Sequence, residues 1–142
     1  EVTTEGGLDV ADKFDSVKKI VGQLQEVGIS VSLFLDPDLR QVEAGIRTGC
    51  NAIEIHTGKY ANAKDQKIIS DEITRIAEAG KIITNANLRL HAGHGLTYHN
   101  VIPIVKIPNM LELNIGHSII SRAVMVGLKK AVKEMKQLLC NL

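Results

Sequence analysis

Short β-rich runs take turns with longer stretches in which apolar residues recur every three or four positions, and this alternation constrains the fold more than any other feature. Within 9–27, Val17, Ile20, Val21, Leu24 and Val27 form one helical stripe, and Gly28 stands where a helix ends. Residues 29–35 (ISVSLFL) are β-rich and stop at Asp36-Pro37, where Asp36 is expected to cap a second helix and Pro37 to enter its first turn. Leu39, Val42 and Ile46 mark that helix, and Gly49 ends it. Residues 51–56 (NAIEIH) read as a second strand, broken by Thr57-Gly58. A helical stretch follows from about 63 to 88, with Ile69, Ile73, Ile76, Ala77 and Ile83 on one stripe and Gly80 interrupting it. A third strand over 89–92 leads to a turn at Gly93-His94-Gly95, then a short helix over 100–105 that Pro108 prevents from continuing. The fourth strand is 110–115 (MLELNI), and Gly116 opens one final amphipathic helix reaching Leu139.

This order implies parallel strands joined by crossover helices. No linker, charge run or repeat divides the chain, so residues 1–142 are expected to form a single domain. Its α/β pattern fits either a small doubly wound sheet or half of an eight-stranded barrel. The opening residues are a Thr/Gly-rich loop rather than a strand or helix, which suggests a start inside a larger domain. Composition narrows the functional classes. Hydrophobic residues at 44% and charged residues at 23% are the balance of a soluble globular protein. A formal net charge of +1 and 3% aromatics supply neither a basic stripe nor stacking platforms, which argues against nucleic acid as a partner. No apolar run has transmembrane length and no signal peptide opens the chain, so a cytoplasmic location without membrane contact is expected. Cys50 and Cys140 have no CxxC partner and read as free thiols.

In both architectures the chemistry belongs at the C-terminal ends of the strands. Unusual residues stand there each time: Asp36, then Glu54-Ile55-His56-Thr57-Gly58, then His91-Ala92-Gly93-His94-Gly95, then Asn114-Ile115-Gly116-His117-Ser118. Glu54 lies between Ile53 and Ile55, so its side chain points to the opposite face of its strand. In a barrel that face is the interior, where a carboxylate is costly unless paired or catalytic. The ordinary alternative is a solvent-facing Glu on an edge strand. His94 stands between two glycines that leave its imidazole open, suited to proton transfer, or else a turn histidine held by a backbone hydrogen bond. His91, His94 and His99 are close in sequence, but their spacing is not that of a helical zinc site and no Cys or acid completes it. Gly116-His117-Ser118 opens a helix, whose free N–H groups, positive dipole end and hydroxyl favour a phosphate. The plainer alternative is a glycine turn with Ser118 as cap.

Six segments together resemble the pyridoxine 5′-phosphate synthase family: EVTTEGGLDV (1–10), VSLFLDPD (31–38), IEIHTGKYANA (53–63), AGHGLTYHNV (92–101), ELNIGHSIISRAV (112–124) and GLKKAVKEMK (127–136). The resemblance implies a (β/α)8 TIM barrel, of which this chain supplies about the last four βα units. It implies condensation of 1-deoxy-D-xylulose 5-phosphate with 3-amino-2-oxopropyl phosphate to pyridoxine 5′-phosphate, phosphate and water, with no metal or organic cofactor. By position, Glu54 resembles the group that stabilises a transition state or relays protons, and His94 the proton donor. Thr3 resembles a contact to the deoxyxylulose phosphate and Gly95 a ligand contact, while Gly116 and His117 match the pair that holds the amino-oxopropyl phosphate. One departure is His91, where the family commonly has Asn before AGHGL. Other catalytic groups of the family come from its first four strands, so the chain alone is expected to be inactive. A non-catalytic phosphate-binding half-barrel that pairs its open strand edges with a second copy, a homo-oligomer, is the competing expectation. A phosphate-aldehyde isomerase or aldolase barrel is a third alternative, but no lysine lies in a strand to form a Schiff base; Lys59 is on a loop.

Overall fold

The computed structural model describes residues 6–140. Helix α1 (Phe14–Glu26) buries Val17 and Val21 and ends at Gly28, whose φ of +80° turns the chain out of the helix. Strand β1 (Ser32–Leu35) is shorter than the β-rich run, because the Ile29 amide still bonds back to the Leu24 carbonyl. Helix α2 (Leu39–Arg47) is capped by Asp38, which accepts from the Gln41 amide at 3.1 Å. Asp36 therefore does not cap, and Pro37 precedes the helix; the Asp36 carboxylate turns instead toward His56.

Strand β2 (Ala52–His56) runs into a one-turn helix α3 (Gly58–Asn62), and Asp65 then caps the long α4 (Gln66–Asn85) through the Lys67 and Ile68 amides. Gly80 does not interrupt α4. It brings the helix onto the sheet, since a Cβ there would stand 2.8 Å from Leu90 Cδ2. Strand β3 (Arg89–Gly93), the short α5 (Val101–Val105) and strand β4 (Met110–Asn114) follow. The expected single final helix is two, α6 (His117–Val126) and α7 (Leu128–Cys140), divided at Gly127 with φ +83° and ψ 148°. That backbone conformation lies outside any helix and is reserved almost entirely to glycine.

The four strands are all parallel and lie in the order β1-β2-β3-β4. A doubly wound sheet reverses its strand order to put helices on both faces. Here the order never reverses, and right-handed crossovers then place every connection on one side. This α/β arrangement is an arc of four βα units of a (β/α)8 barrel. Leu33, Leu35, Ile53, Ile55, Leu90 and Ala92 fill the side toward the helices and join α1, α2 and α4 in one hydrophobic cluster. The alternate residues, Phe34, Glu54, His56, His91, Gly93, Glu112 and Asn114, share the inner face. Cys50 is buried and Cys140 exposed, and both are free.

Candidate functional site

Parallel register aligns Phe34, Glu54, His91 and Glu112 in one row across the inner face, and His56, Gly93 and Asn114 in the row nearer the strand ends. Glu54 reaches from one row into the next. Its Oε2 accepts from Asn114 Nδ2 at 2.7 Å, two strands away. The span is open only because β3 has a glycine beneath it: a Cβ on Gly93 would lie 2.3 Å from Glu54 Oε1 and 3.1 Å from the Asn114 Cβ. Burial pushes the Glu54 carboxyl above its ordinary value. The Asn114 hydrogen bond and His91 pull it back, Glu112 adds to the rise, and His56 lowers it slightly.

His91 is buried on this same face, its Nδ1 3.8 Å from Glu112 Oε1, so it is part of the inner wall between two carboxylates. Among the described residues, no group of three or more His, Cys, Asp or Glu is arranged to hold a metal.

The segment after β3 is held at several points. His94 and Gly95 both have positive φ, +82° and +73°. The Thr57 hydroxyl, fully buried, lies 2.7 Å from the Gly93 carbonyl and 2.6 Å from that of His94, fixing a backbone conformation that a histidine seldom adopts. Downstream, Asn100 Nδ2 donates to the Gly95 carbonyl and Asn100 Oδ1 accepts from the Thr97 amide. The Tyr60 hydroxyl donates to the Asn100 carbonyl, and that of Tyr98 donates to the Ala131 carbonyl in α7 at 2.8 Å. His94 itself is exposed, with its ring against that of His56.

An open cavity of about 460 Å³ lies over these strand ends, lined by His94, Gly95, Leu96, Thr97, Asn114, Ile115, Gly116, His117 and Ser118. The structure thus brings four of the expected site residues, His94, Gly95, Gly116 and His117, to one cavity, and Glu54 reaches its wall through Asn114. Gly116 and His117 are exposed where α6 begins, and no side chain caps that helix. Ser118 neither caps nor offers a free proton, because its hydroxyl donates to the Leu96 carbonyl at 2.9 Å and ties the two loops together. Thr3 lies outside the described residues. Sequence reasoning passed over Asn114, Gly93 and Thr57 as individuals, although Asn114 and Thr57 stood among the polar residues at strand ends.

Fold and site together define an α/β-barrel protein with an open, histidine-lined cavity at the C-terminal ends of its strands. The chain belongs to the family of the pyridoxal phosphate biosynthesis protein PdxJ, whose family model matches residues 1–141. It is 51% identical over 141 residues to the pyridoxine 5′-phosphate synthase of Sulfurihydrogenibium sp. (strain YO3AOP1), covering 99% of this chain and 58% of that protein. It is 53% identical over 141 residues to that of Coxiella burnetii (strain Dugway 5J108-111), covering 99% and 59%. The chain thus spans less than two thirds of the length of these relatives. A chain in the crystal structure of the Amycolatopsis orientalis BexX/CysO complex superposes with a TM-score of 0.58 at 14% identity, over 96% of this chain and 53% of that one; this likeness is one of fold. No helix among the described residues is long and apolar enough to cross a membrane.

Proposed function

We propose that this chain carries one part of the active site of a pyridoxine 5′-phosphate synthase, which condenses 1-deoxy-D-xylulose 5-phosphate with 3-amino-2-oxopropyl phosphate. The observation that supports this most is the Glu54–Asn114 clamp across Gly93, a half-buried carboxylate with a raised proton affinity beside a cavity that an exposed histidine overlooks. A carboxyl group so shifted exchanges protons closer to neutral pH than an ordinary one, which suits it to relay them during ring closure. His94, on its rigid turn, donates the proton to a departing oxygen. The Gly116 and His117 amides hold the phosphate of the amino substrate against the positive end of α6. Gly95 borders the same substrate, and Thr3 contacts the deoxyxylulose phosphate.

In this reading residues 1–142 are one half of a barrel domain, and by themselves they do not turn over, because acid–base groups that act as a unit cannot be replaced by the remainder. The test is a chimera in which this chain replaces the matching segment of the Coxiella burnetii synthase. The chimera is expected to form pyridoxine 5′-phosphate, while the chain alone gives none above background. In the chimera, His94→Ala is expected to lower kcat by roughly 10²–10⁴-fold with little change in KM for the amino substrate. Unaltered kcat with a raised KM would make His94 a binding residue instead.

A second reading is favoured by the apolar surface of α6. Ile120, Val124 and Met125 are 59%, 80% and 80% exposed, as a helix seeking a partner would be. On this reading the isolated chain is a phosphate-binding half-barrel that assembles with copies of itself.

A further inference from the structure

Asp36 and His56 stand outside every role assigned above. His56 is only 5% exposed, although it lies on the inner face one pleat beyond Glu54. Its Nδ1 is 2.8 Å from Asp36 Oδ1. Its ring is packed on three sides. Phe34 meets it edge-on at a centroid distance of 5.2 Å, and His94 does so at 4.8 Å and 66°. Gly58 closes the third, where a Cβ would stand 2.6 Å from Nε2. That Nε2 is buried without a hydrogen-bond partner among the described residues.

These contacts select one form of the ring. A carboxylate only accepts, so the proton belongs on Nδ1. Nε2 is then a bare lone pair, which burial tolerates far better than an orphaned N–H. The charged or titratable groups that face His56 are Asp36, His94 and, through the field on its carboxylate, Glu54. The next residue, Thr57, holds the carbonyl of His94. Consecutive residues of β2 and its end thus set both the backbone and the ring of His94.

We propose that Asp36 and His56 are a positioning pair for His94: Asp36 accepts the Nδ1 proton of His56, and the ring so locked is the wall that aims the His94 imidazole at the cavity. This rests on His94 being the proton donor. A displacement of about 1 Å in a reacting group is enough to lose on the order of 10²-fold in rate, so a wall of this kind is read in kcat.

The test uses the Coxiella burnetii chimera. Asp36 is partly exposed, so Asp36→Ala leaves the core intact, and it is expected to lower kcat about tenfold or more with KM for the amino substrate within about threefold. Asp36→Asn keeps an acceptor oxygen and is expected to retain kcat within about threefold of the parent. Nitrogen–proton correlation spectra of the histidine rings are expected to show His56 protonated at Nδ1 in the parent and in Asp36→Asn, and no longer so in Asp36→Ala. His56→Leu, which removes the wall, is expected to match Asp36→Ala. Parent-like kcat in both Asp36→Ala and His56→Leu overturns the proposal, as does His56 protonated at Nε2 in the parent. Asp36→Asn falling as far as Asp36→Ala also overturns it, since charge and not the accepted proton would then matter. His94→Ala separates the two ideas. Full turnover there removes the proton-donor reading itself, whereas a large loss there beside parent-like Asp36→Ala and His56→Leu removes the positioning pair alone.

Discussion

A methyl group at Gly93 would stand 2.3 Å from Glu54 Oε1 and 3.0 Å from the Asn114 carbonyl, so Gly93→Ala must push the Glu54 side chain off its partner. In the active chimera this single carbon is expected to lower kcat by about tenfold or more, and Asn114→Ala by a comparable factor, both measured under saturating substrate. Full turnover in Gly93→Ala would show that the clamp is dispensable. Glu54 also has a stability signature. Its folded-state proton affinity is raised chiefly by burial, so the folded protein holds that proton more tightly than the unfolded chain does. Its contribution is therefore fully present below the ordinary carboxylate range and is lost as pH rises through the shifted value. Glu54→Gln is accordingly expected to raise the melting temperature by on the order of one to three degrees at pH 8 and to have little effect at pH 4, a difference that thermal unfolding at the two pH values reads directly. Glu54 and His94 could be picked out from the sequence because each violates a local rule: a carboxylate inside an apolar strand pattern, and a histidine between glycines. Gly93 could not. Its need for an absent side chain arises only when a residue from the neighbouring strand crosses over it, and no local pattern records that crossing.

Strands and their order were legible because β-rich runs and helical stripes have different periods, and all four strands fall where the runs predict. The boundaries that went astray did so for local reasons. Asp36 and Asp38 are equally suited to cap, and only the presence of His56 in space draws the first of them away. Gly80 reads as a break by propensity, yet it is a contact that lets α4 approach Leu90. The division at Gly127 was hidden because α6 and α7 each carry an apolar stripe, and the two stripes run on across the glycine as though continuous. These glycines are expected to respond in opposite ways to the same substitution. Gly22 lies inside α1 with open space around its Cβ position, so Gly22→Ala is expected to stabilise the protein by about 0.5–1 kcal/mol. Gly127 also has open space, but its backbone conformation excludes L side chains, and Gly127→Ala is expected to cost about 1–3 kcal/mol. Chemical denaturation of the pair checks both signs.

Among the described residues, the helix-facing apolar side chains of β1, β2 and β3 are buried, whereas Leu111, Ile120, Val124, Met125 and Leu128, all 56% or more exposed, lie on or beside β4 and α6. An apolar strip of this kind at the end of a parallel sheet drives association. The isolated chain is expected to sediment as a dimer or larger at micromolar concentration, and the active chimera to lose that self-association if its own remaining segment covers the strip. A monomeric isolated chain at such concentrations would count against the strip as a contact surface. The architecture was legible at this scale, but this apolar face was not: Leu111 and Val124 look like core residues in a stripe, and only their neighbours in space reveal that nothing among the described residues lies over them. The hydroxyl of Tyr98, bonded to the Ala131 carbonyl, links the loop after His94 to the final helix. That helix packs on α6 as well, and its docking and the closure of the loop are expected to be coupled. Amide protons of residues 95–100 are then expected to exchange with solvent at the rate at which α7 lifts away, and Tyr98→Phe should let the loop exchange faster while leaving the protection of the β2 and β3 amides unchanged.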